Sequence, residues 1–470
     1  GANMGTAHES PIAENVDFTP AAGLASTNVQ DAIEEVAGPG GGGGSVCIIG
    51  DEWRHGIRDF NMVANGIADD TTPFNNAIAS GYHIYLPAGA IKVTAALTPV
   101  TTQGQKIHGA GWSRTTAPFV YAGTRIIQAS TTANVFDLQC PKPSIKHLAI
   151  IRENGSATAG CGIIWGSEPT PRYWCDIEDI LIEYMYTGVK VLNSGNGAFN
   201  YVNIYRSVLH GLHIRTTAPN GDTKFNNCNV AAQTTGTGAA YYIEGGDLLH
   251  FVNCKALNNV NNLKINSDYG HVYCLLFANC SFENGSANYV ANITKTTYNN
   301  WGLQFLGCEY GAGGTKGIYI GDGVTDYKFV GGEAQNIVGN TFEIHGQRNQ
   351  IIGMNMRDNS GDAFNLGATA SGIQMIGNQT TGLSGYGLNI ASGASYLTAI
   401  GNDLRGCGSG AASIAAGVKA TSKFRDNQGM VDYETSVAST PDFISQMSLV
   451  AGQWYMAKGT SAPSDWVLLG

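Results

Sequence analysis

Two glutamates occupy the same place in two similar six-residue phrases of the sequence. Glu309 is the fifth residue of FLGCEY (305–310), and Glu333 is the fifth residue of FVGGEA (329–334). If these phrases form neighbouring strands of a parallel sheet, the two glutamates share one face, with backbones about 4.8 Å apart. Two carboxyl groups held that close resist double ionisation, so one of them would retain a proton. A protonated acid beside a carboxylate is what glycoside hydrolysis requires, and we interpret the two glutamates as a candidate acid/base or nucleophile pair.

Other side chains in the same part of the chain could bind a substrate. On the predicted face, Glu283 would lie diagonally one turn before Glu309. Arg357 would lie one turn after Glu333, so it and Glu283 are candidates to orient a bound molecule. The other candidates for substrate binding are Lys255, Tyr310, Tyr319 and His345.

Two further carboxylates compete with the pair for a catalytic role. Glu343 belongs to the second strand of the turn that holds Glu333, and Asp322 belongs to the acidic loop GDGVTD (321–326). That loop lacks the ligand spacing of an EF-hand, and Asp-Gly pairs commonly form turns. We therefore predict no metal site and no cofactor.

A different chemistry is open to basic residues on other turns. A lyase needs a base that removes a proton next to a carboxylate, and His210, His213 and Lys264 could serve such a reaction. This alternative, and a third in which the protein only binds its ligand, remain open beside hydrolysis.

The cysteine that precedes Glu309 raises the question of a metal or redox centre. The fourth position of successive phrases holds Cys228, Cys254, Cys280 and Cys308, then Gly332 and Met354, then Asn378, Asn402 and Asn427. Thiolate ligands converge tetrahedrally on zinc, which a straight column does not allow. We predict an interior ladder, with cysteine as a small hydrophobic residue and asparagine amides that bond along the stack.

These columns depend on an internal repeat that runs through most of the chain. The related phrases are IKHLAI at 145, IEDILI at 177, VNIYRS at 202, FNNCNV at 225, FVNCKA at 251, FANCSF at 277, FLGCEY at 305, FVGGEA at 329, IIGMNM at 351, MIGNQT at 375, AIGNDL at 399 and FRDNQG at 424. From 177 onward the steps measure 22 to 28 residues, and each unit contains a second short strand. A step of this size is one turn of a parallel β-coil, whereas propeller blades need about 40 residues. The prediction is an all-β, single-stranded, right-handed parallel β-helix of about 11–12 turns.

The second position of the phrases is apolar as well as the first. It reads Val252, Ala278, Leu306, Val330, Ile352, Ile376 and Ile400. Neighbouring residues of a strand face opposite sides, so one of these two columns lies outside the coil. An exposed apolar stripe of this length is a liability in a monomer, which favours a cover formed by a partner subunit. A long loop folded over the stripe is the alternative.

The outward-facing fifth and seventh positions carry the polar residues. The fifth column includes Lys255, Glu309 and Glu333, and the seventh includes Glu183, Glu283 and Arg357. We expect all of these side chains to lie on one wet surface.

The segments outside the repeat resemble parts of known families. DFNMVANGIADDTTPFNNAIASGYHIYLPAGAIKV (59–93) contains a short helix capped at Asp70 or Thr71. The segment resembles the start of pectate-lyase-like right-handed β-helices, where a short helix and an L-P-A-G strand close the coil. VDFTPAAGLASTNVQDAIEEV (16–36) and the C-terminal PDFISQMSLVAGQWYMAKGTSAPSDWVLLG (441–470) resemble ends of bacteriophage tail fibres and tailspikes.

This order of segments is similar to that of bacteriophage tailspike depolymerases. The resemblance implies a homotrimer on the virion tail, attached to tail proteins through its N-terminus, that adsorbs to a bacterial surface polysaccharide and often cleaves it. The expected segments are 1–36 (phage-fibre-like), 37–46 (Gly-rich linker), 47–95 (N-terminal cap), 96–430 (β-helix with the glycan site) and 431–470 (C-terminal hairpins). The implied activity is endo-glycosidase cleavage of a capsular or O-antigen polysaccharide.

Composition narrows the function classes. A net charge of -10 argues against a nucleic-acid partner, because phosphates are neutralised by clustered Lys and Arg. The longest apolar runs are too short to span a bilayer, so membrane insertion is not expected. The 63 glycines and the charged fraction of 13% favour tight turns and short strands over long helices.

Overall fold

The computed structural model describes residues 53–115, 120–153, 157–168, 170–217, 222–231, 238–283, 289–311, 316–415, 418, 422–430, 447–450, 453–457 and 466–469. The chain divides into two compact units, 1–53 and 54–470. The phage-fibre-like segment 16–36 and the linker 37–46 lie outside the described residues.

Short strands and two helices form the beginning of the larger unit. These elements are β1 (Trp53–His55), α1 (Gly56–Phe60), β2 (Asn65–Asp69), α2 (Thr71–Ala79), β3 (His83–Leu86), β4 (Gly89–Val93), β5 (Lys106–Gly109), β6 (Trp112–Arg114) and β7 (Tyr121–Gln128).

The first turns that follow are built from long strands. They are β8 (Phe136–Leu138), β9 (Ser144–Arg152), β10 (Cys161–Trp165), β11 (Arg172–Tyr173), β12 (Asp176–Glu183), β13 (Thr187–Leu192), β14 (Ser194–Gly195), β15 (Ala198–Tyr205) and β16 (His210–Arg215).

The middle turns use shorter strands. They are β17 (Thr223–Asn226), β18 (Asn229–Ala231), β19 (Tyr241–Ile243), β20 (Gly246–Asp247), β21 (Leu249–Val252), β22 (Lys255–Leu257), β23 (Leu263–Ile265), β24 (Val272–Tyr273), β25 (Leu276–Ala278), β26 (Ser281–Glu283), β27 (Tyr289–Ile293), β28 (Asn300–Trp301), β29 (Gln304–Leu306), β30 (Glu309–Gly311), β31 (Lys316–Ile320) and β32 (Val324–Thr325).

The last turns and the C-terminal strands complete the chain. They are β33 (Lys328–Val330), β34 (Glu333–Gln335), β35 (Phe342–Ile344), β36 (Gln350–Ile352), β37 (Asn355–Arg357), β38 (Phe364–Leu366), β39 (Gln374–Ile376), β40 (Gln379–Thr381), β41 (Tyr386–Ile390), β42 (Thr398–Ile400), β43 (Gly410–Ile414), β44 (Lys423–Arg425), β45 (Met447–Val450), β46 (Gln453–Ala457) and β47 (Trp466–Leu469). The final three strands form an antiparallel sheet, which is the predicted small C-terminal β region.

The predicted parallel coil is confirmed by the strand pairing. Each turn places its first strand in register with the first strand of the next turn, as Phe277 pairs with Phe305 and Phe305 with Phe329. The second strands pair likewise within the same large sheet, and a separate 12-stranded sheet forms another wall of the coil. A third, short sheet of four strands, β20, β24, β28 and β32, adds a further wall in the middle turns.

A left-handed backbone residue forms the corner between the first two strands of each turn. This third position of the phrase holds Asn279 at φ 51°, Gly307 at φ 60° and Gly331 at φ 62°. Asparagine and glycine adopt this conformation at low cost, which explains why they fill this position from Asn227 to Gly401. The same corner occurs inside the long strand β12 at Asp179, where φ is 53°.

The interior is a set of stacked columns, as predicted. The rings of Phe251, Phe277, Phe305 and Phe329 stack with centroids 4.6 to 4.8 Å apart. The fourth-position column is also buried. The Oδ1 of Asn402 accepts from Asn378 Nδ2 at 2.8 Å, and the Nδ2 of Asn402 donates to Asn427 Oδ1 at 2.7 Å. These bonds are the amide ladder that the sequence predicts.

The cysteines of the same column lie in the core rather than in a reactive site. The thiols of Cys254, Cys280 and Cys308 contact main-chain carbonyls of the preceding turn at 3.2 to 3.4 Å. Burial raises the pKa of the Cys228 thiol well above its ordinary value. A buried, protonated thiol packs as a small hydrophobic group.

The predicted cap helix is present as α2. Asp70 is its N-cap residue, and the Asp70 carboxylate accepts hydrogen bonds from the main-chain N–H groups of Val63 and Ala64. Gly81, just beyond the helix, has a φ of 76°, a conformation that glycine adopts freely.

Three details of the sequence-based coil are corrected by the structure. The coil has about 13 turns rather than 11–12. The difference arises because the strands β3 and β5 lack the repeated phrase but pair in register ahead of β9. The alignment of the phrase VNIYRS is also wrong by three residues, because the residue paired with Phe225 is Phe199 and not Val202. The fifth position of this turn is therefore Asn203, where the phrase had placed Arg206. Phe199 and Val202 both face the interior, so apolar pattern alone does not fix this register.

The third correction concerns Glu183, which was predicted on the wet outer surface. Its side chain is fully buried and contacts Arg114 and the hydroxyl of Tyr121. These partners lie on the antiparallel hairpin formed by β6 and β7, which covers the outer side of the first long strands. No repeat position indicates this hairpin, because it is inserted between turns.

Candidate functional site

The predicted glutamate pair lies on adjacent second strands, on the outer side of the coil. Glu309 in β30 is in direct register with Glu333 in β34. Glu309 is exposed and Glu333 is half-buried. Within the described part of the chain Glu309 forms no ion pair, whereas Glu333 contacts the guanidinium of Arg357 one turn further on. The structure therefore brings the pair and Arg357 together, as the columns predict.

Glu283 and Lys255 lie on the same outer face. Glu283 is in register with Gly311, next to the Glu309 strand, and its carboxylate accepts from the hydroxyl of Ser281. Lys255 is exposed and is separated from Glu309 by one intervening turn, at Ser281. A row of charged groups thus follows the coil axis over five turns.

Tyr310 does not belong to this face. Its side chain is 1% exposed and lies in the core, where its ring stacks on Phe282 with centroids 5.6 Å apart. In a strand, the residue after an outward-facing one points inward. Tyr310 follows the outward-facing Glu309, so it cannot contact a molecule bound on the surface. Tyr310 is therefore corrected to a core residue.

The rival acid Glu343 lies on a different wall, the 12-stranded sheet. Its carboxylate is 3.5 Å from Nε2 of His345, and it is in register with Tyr319. The rings of Tyr319 and His345 have centroids 5.6 Å apart. Burial and the charge of Glu343 raise the pKa of Tyr319, with a smaller contribution from Asp322.

Two carboxylates of the acidic loop 321–326 contact side chains of later turns. Asp322 is exposed and accepts from the hydroxyl of Thr369. Asp326 pairs with Arg348 at 2.7 Å, and the hydrogen bond from Arg348 is the main reason that the pKa of Asp326 lies below its ordinary value. Among the described residues, no group of three or more His, Cys, Asp or Glu side chains is placed to hold a metal ion.

A denser polar cluster occupies the fourth to sixth strands of the 12-stranded sheet, counted from its N-terminal end. His213, Tyr242 and Lys264 occupy one outward column on three successive strands. Glu244 completes the cluster: its carboxylate lies 2.6 Å from Nε2 of His213 and accepts from the hydroxyl of Tyr242 at 2.8 Å. The Nζ of Lys264 lies 4.9 Å from the centre of the Tyr242 ring. We call these four residues the His213 cluster.

Burial and hydrogen bonding shift the pKa values within the His213 cluster in opposite directions. Burial opposes ionisation of Glu244, but hydrogen bonds from His213 and Tyr242 lower its pKa to about 2. Burial lowers the pKa of His213, and burial together with Glu244 raises that of Tyr242. At neutral pH the cluster therefore combines a carboxylate, a neutral imidazole and a protonated phenol. Perturbed groups that share hydrogen bonds on a surface are typical of functional sites.

Sequence reasoning named His213 and Lys264 but missed Tyr242 and Glu244. The signal was available in the strands of the 12-stranded sheet, since aligning YYI (241–243) with LKI (263–265) places Tyr242 opposite Lys264. The same column continues through Asn292 and Tyr319 to Glu343, so the two polar groups of this sheet lie along one line.

Comparison with known proteins finds similarity to solved structures alone. No protein-family model and no curated protein matches the sequence. Among solved structures, the chain is similar to tailspike protein 3 of bacteriophage CBA120, with 11% identity, a TM-score of 0.48, and coverage of 88% of this chain and 68% of that one. It is also similar to the Dettilon tailspike protein, with 14% identity, a TM-score of 0.38, and coverage of 87% and 76%.

A third similar structure is the catalytic unit of a GH87 alpha-1,3-glucanase from Streptomyces thermodiastaticus, with 12% identity, a TM-score of 0.41, and coverage of 82% and 70%. At these identities and TM-scores the likeness assigns no site and no activity. Within the described residues, no helix is both long and apolar enough to cross a membrane.

Proposed function

We propose that this protein is a tailspike-like receptor-binding protein that binds a bacterial surface polysaccharide and cleaves it by hydrolysis. The observation that carries the proposal is the direct register of Glu309 and Glu333 on an outer face. Natural sheets generally avoid like charges directly opposite each other, so the presence of two glutamates in register favours a functional role for them. The charged groups from Lys255 to Arg357 follow the coil axis, which suits an extended polymer.

In this proposal the two glutamates have different roles. Glu333, oriented by Arg357, acts as the nucleophile or the base, and Glu309 donates a proton to the leaving oxygen. In-register backbones allow the carboxyl groups to approach to about 5 Å, the retaining geometry, or to spread to the wider inverting one. Glu283 and Lys255 would bind neighbouring sugars along the same face.

A second candidate function is a polysaccharide lyase reaction at the His213 cluster. The favouring observation is the shared hydrogen bonding of His213, Glu244 and Tyr242. Neutral His213 would remove the proton on the carbon next to a uronate carboxylate, with Lys264 paired to that carboxylate. The glycosidic oxygen would leave with a proton from Tyr242, and a carbon–carbon double bond would remain in the sugar. Glu244 would stabilise the imidazolium that forms.

One experiment separates these reactions. The full chain is incubated with purified capsular polysaccharides and O-antigens, and chain length, new reducing ends and ultraviolet absorbance of unsaturated sugars are followed. Hydrolysis predicts new reducing ends without absorbance, and a loss of rate of at least about 100-fold in Glu309→Gln and in Glu333→Gln. The matched control is Gln379→Glu, which adds a carboxylate to the same column two turns beyond Glu333 and should leave the rate unchanged.

Other outcomes would redirect or end the proposal. Absorbance that disappears in His213→Gln but persists in both glutamate variants would assign a lyase and overturn hydrolysis. Activity lost only in Glu343→Gln would move the site to the 12-stranded sheet. Unchanged chain lengths with retained binding would leave a non-catalytic adhesin.

The assembly and location of the protein form part of the same proposal. The apolar column from Val252 to Ile400 is half-buried in the single chain, which favours a cover by two further copies in a homotrimer. A virion-tail location, with attachment through the N-terminus and action at the bacterial surface, follows from the tailspike resemblance. The attaching residues lie outside the described ones.

A further inference from the structure

A cleft of about 400 Å³ lies on the outer side of the N-terminal turns, away from both candidate catalytic groups. It is formed where β5, β9 and the residues before β12 meet at one corner of the coil. Its lining includes three lysines and a single aspartate: Lys106, Lys142, Lys146 and Asp176, together with His108, Ser144 and Trp174. Its volume lies within the range of ordinary small-ligand sites. We call it the lysine cleft.

The charge of the lysine cleft is opposite to that of the whole chain. The chain carries a net charge of -10. Lys146 is paired with Asp176 at 2.5 Å and with Glu178 at 2.7 Å, so its charge is compensated. Lys106 and Lys142 are exposed and form no ion pair within the described part of the chain. Two uncompensated ammonium groups thus remain on one small concave surface, and they attract anions.

Trp174 supplies an aromatic face beside these lysines. Its side chain is 54% exposed, and Nζ of Lys142 lies 5.3 Å from the centre of its ring. Tyr173 extends the aromatic surface, with ring centroids 5.9 Å apart. An exposed aromatic face beside a cation suits a sugar ring that carries an anionic group.

The backbone at Trp174 turns a corner of the coil in the left-handed conformation. Its φ is 59°, a conformation that bulky residues rarely adopt. The equivalent corner holds Asn196 one turn later, which accepts this conformation easily, whereas Leu248 and Cys274 occupy it in the middle turns. Because other side chains occupy this corner as well, the exposure of the Trp174 ring, and not its backbone conformation, is the observation that suits a role at the surface.

Uncharged donors complete the lining. Nε2 of His108 lies 3.1 Å from Oγ of Ser144. Burial, reinforced by the charges of Lys146 and His147, lowers the pKa of His108 to about 4, so its ring is neutral at physiological pH. A neutral imidazole and a hydroxyl are suited to hydrogen-bond sugar hydroxyl groups.

We propose that the lysine cleft is a binding site for an anionic saccharide, with the sugar ring against Trp174 and its acidic group between Lys106 and Lys142. The inference rests on the proposed polysaccharide-binding function and sharpens it, because it names the substrate class as acidic. It does not depend on which reaction the protein catalyses.

The test measures binding by calorimetry with anionic oligosaccharides of defined length. The probes are oligogalacturonate, oligosialic acid and a chondroitin sulfate oligosaccharide, with a maltooligosaccharide of equal length as the neutral comparison. The proposal predicts binding of at least one anionic probe that weakens as salt rises, and no comparable binding of the neutral one. Lys106→Gln and Lys142→Gln should each weaken that binding about tenfold.

Two variants keep the result interpretable. Trp174→Asn places a residue that favours the left-handed conformation at this corner, so the protein should fold at least as well while it loses binding. Lys423→Gln removes an exposed lysine from the strand position equivalent to Lys106, at the far end of the coil, and should change nothing. Equal binding in Trp174→Asn, Lys142→Gln and the unchanged protein would overturn the proposal. So would failure of all three anionic probes, or equal binding of the neutral one.

The parallel assay for cleavage separates the two proposals. Binding that is lost in the cleft variants but kept in Glu309→Gln and Glu333→Gln supports the cleft, even if no polysaccharide is cleaved. Cleavage that persists without any binding in the cleft would refute only this inference.

Discussion

One outward column of the coil has two different characters along its length. The column at the second position of the first strands is polar in the N-terminal turns and apolar in the later ones, reading His108, Lys146, Glu178, Asn200 and Asn226, then Val252, Ala278, Leu306, Val330, Ile352, Ile376 and Ile400. The backbone register is the same in both regions, so the change comes from the side chains alone.

The comparison shows how a repetitive fold separates tasks. The main-chain hydrogen bonds between the turns of a parallel coil do not depend on the outward side chains. Those side chains can therefore form different binding surfaces in different regions. The polar region adjoins the lysine cleft, where charged groups meet solvent. The apolar region presents a flat stripe that is suited to another protein surface rather than to a sugar.

The largest effect is expected from placing a charge in the apolar region. Ile352→Asp would bury a carboxylate in each subunit contact of a trimer, at a cost of at least about 3 kcal/mol per subunit. Light scattering should then show the mass of a single chain for this variant and three times that mass for the unchanged protein. Asn200→Asp, in the polar region of the same column, should leave the trimer intact.

Two results would break this part of the comparison. An unchanged protein that is monomeric would show that the stripe has no partner copy. A trimer that survives Ile352→Asp would place the contact between copies elsewhere.

A smaller effect is expected inside the coil, where the fourth-position column changes from cysteine in the middle turns to asparagine in the last turns. Asn402 accepts from the main-chain N–H of Asn378 at 2.9 Å, and its Nδ2 donates to the carbonyl of Met375 at 2.9 Å. Asn402→Ala removes both hydrogen bonds, leaves their buried main-chain partners unsatisfied and creates a cavity. We expect it to destabilise the coil by about 3–5 kcal/mol. Cys280→Ala removes only a weak thiol contact and should cost about 1 kcal/mol.

The apparent unfolding temperature at one fixed heating rate compares the two interior variants. Asn402→Ala should lower it clearly more than Cys280→Ala does. Equal losses would mean that the amide ladder contributes no more than packing, and the distinction between the two interior segments would then fail.

The coil could be predicted because each turn repeats the same physical requirements. An inward aromatic residue, a left-handed corner residue and a small interior residue recur at fixed positions, and they give the register of Glu309 with Glu333 directly. The register slipped only near Phe199 and Val202, where two inward apolar residues satisfy the pattern equally well.

The remaining features depend on residues that do not repeat. Glu183 is buried by an inserted hairpin, and Lys106, Lys142 and Trp174 of the lysine cleft lie outside the repeated phrases. Tyr242 and Glu244 come together with His213 across neighbouring strands, and their cluster is visible only when the strands of the 12-stranded sheet are aligned as well.

The most direct test of the division between the two regions is an experimental structure of the full chain with a bound anionic oligosaccharide. The account predicts sugar density against Trp174 between Lys106 and Lys142, with the stripe from Val252 to Ile400 covered by other copies of the chain. Sugar density along that stripe, with no second copy there and an empty lysine cleft, would contradict the account.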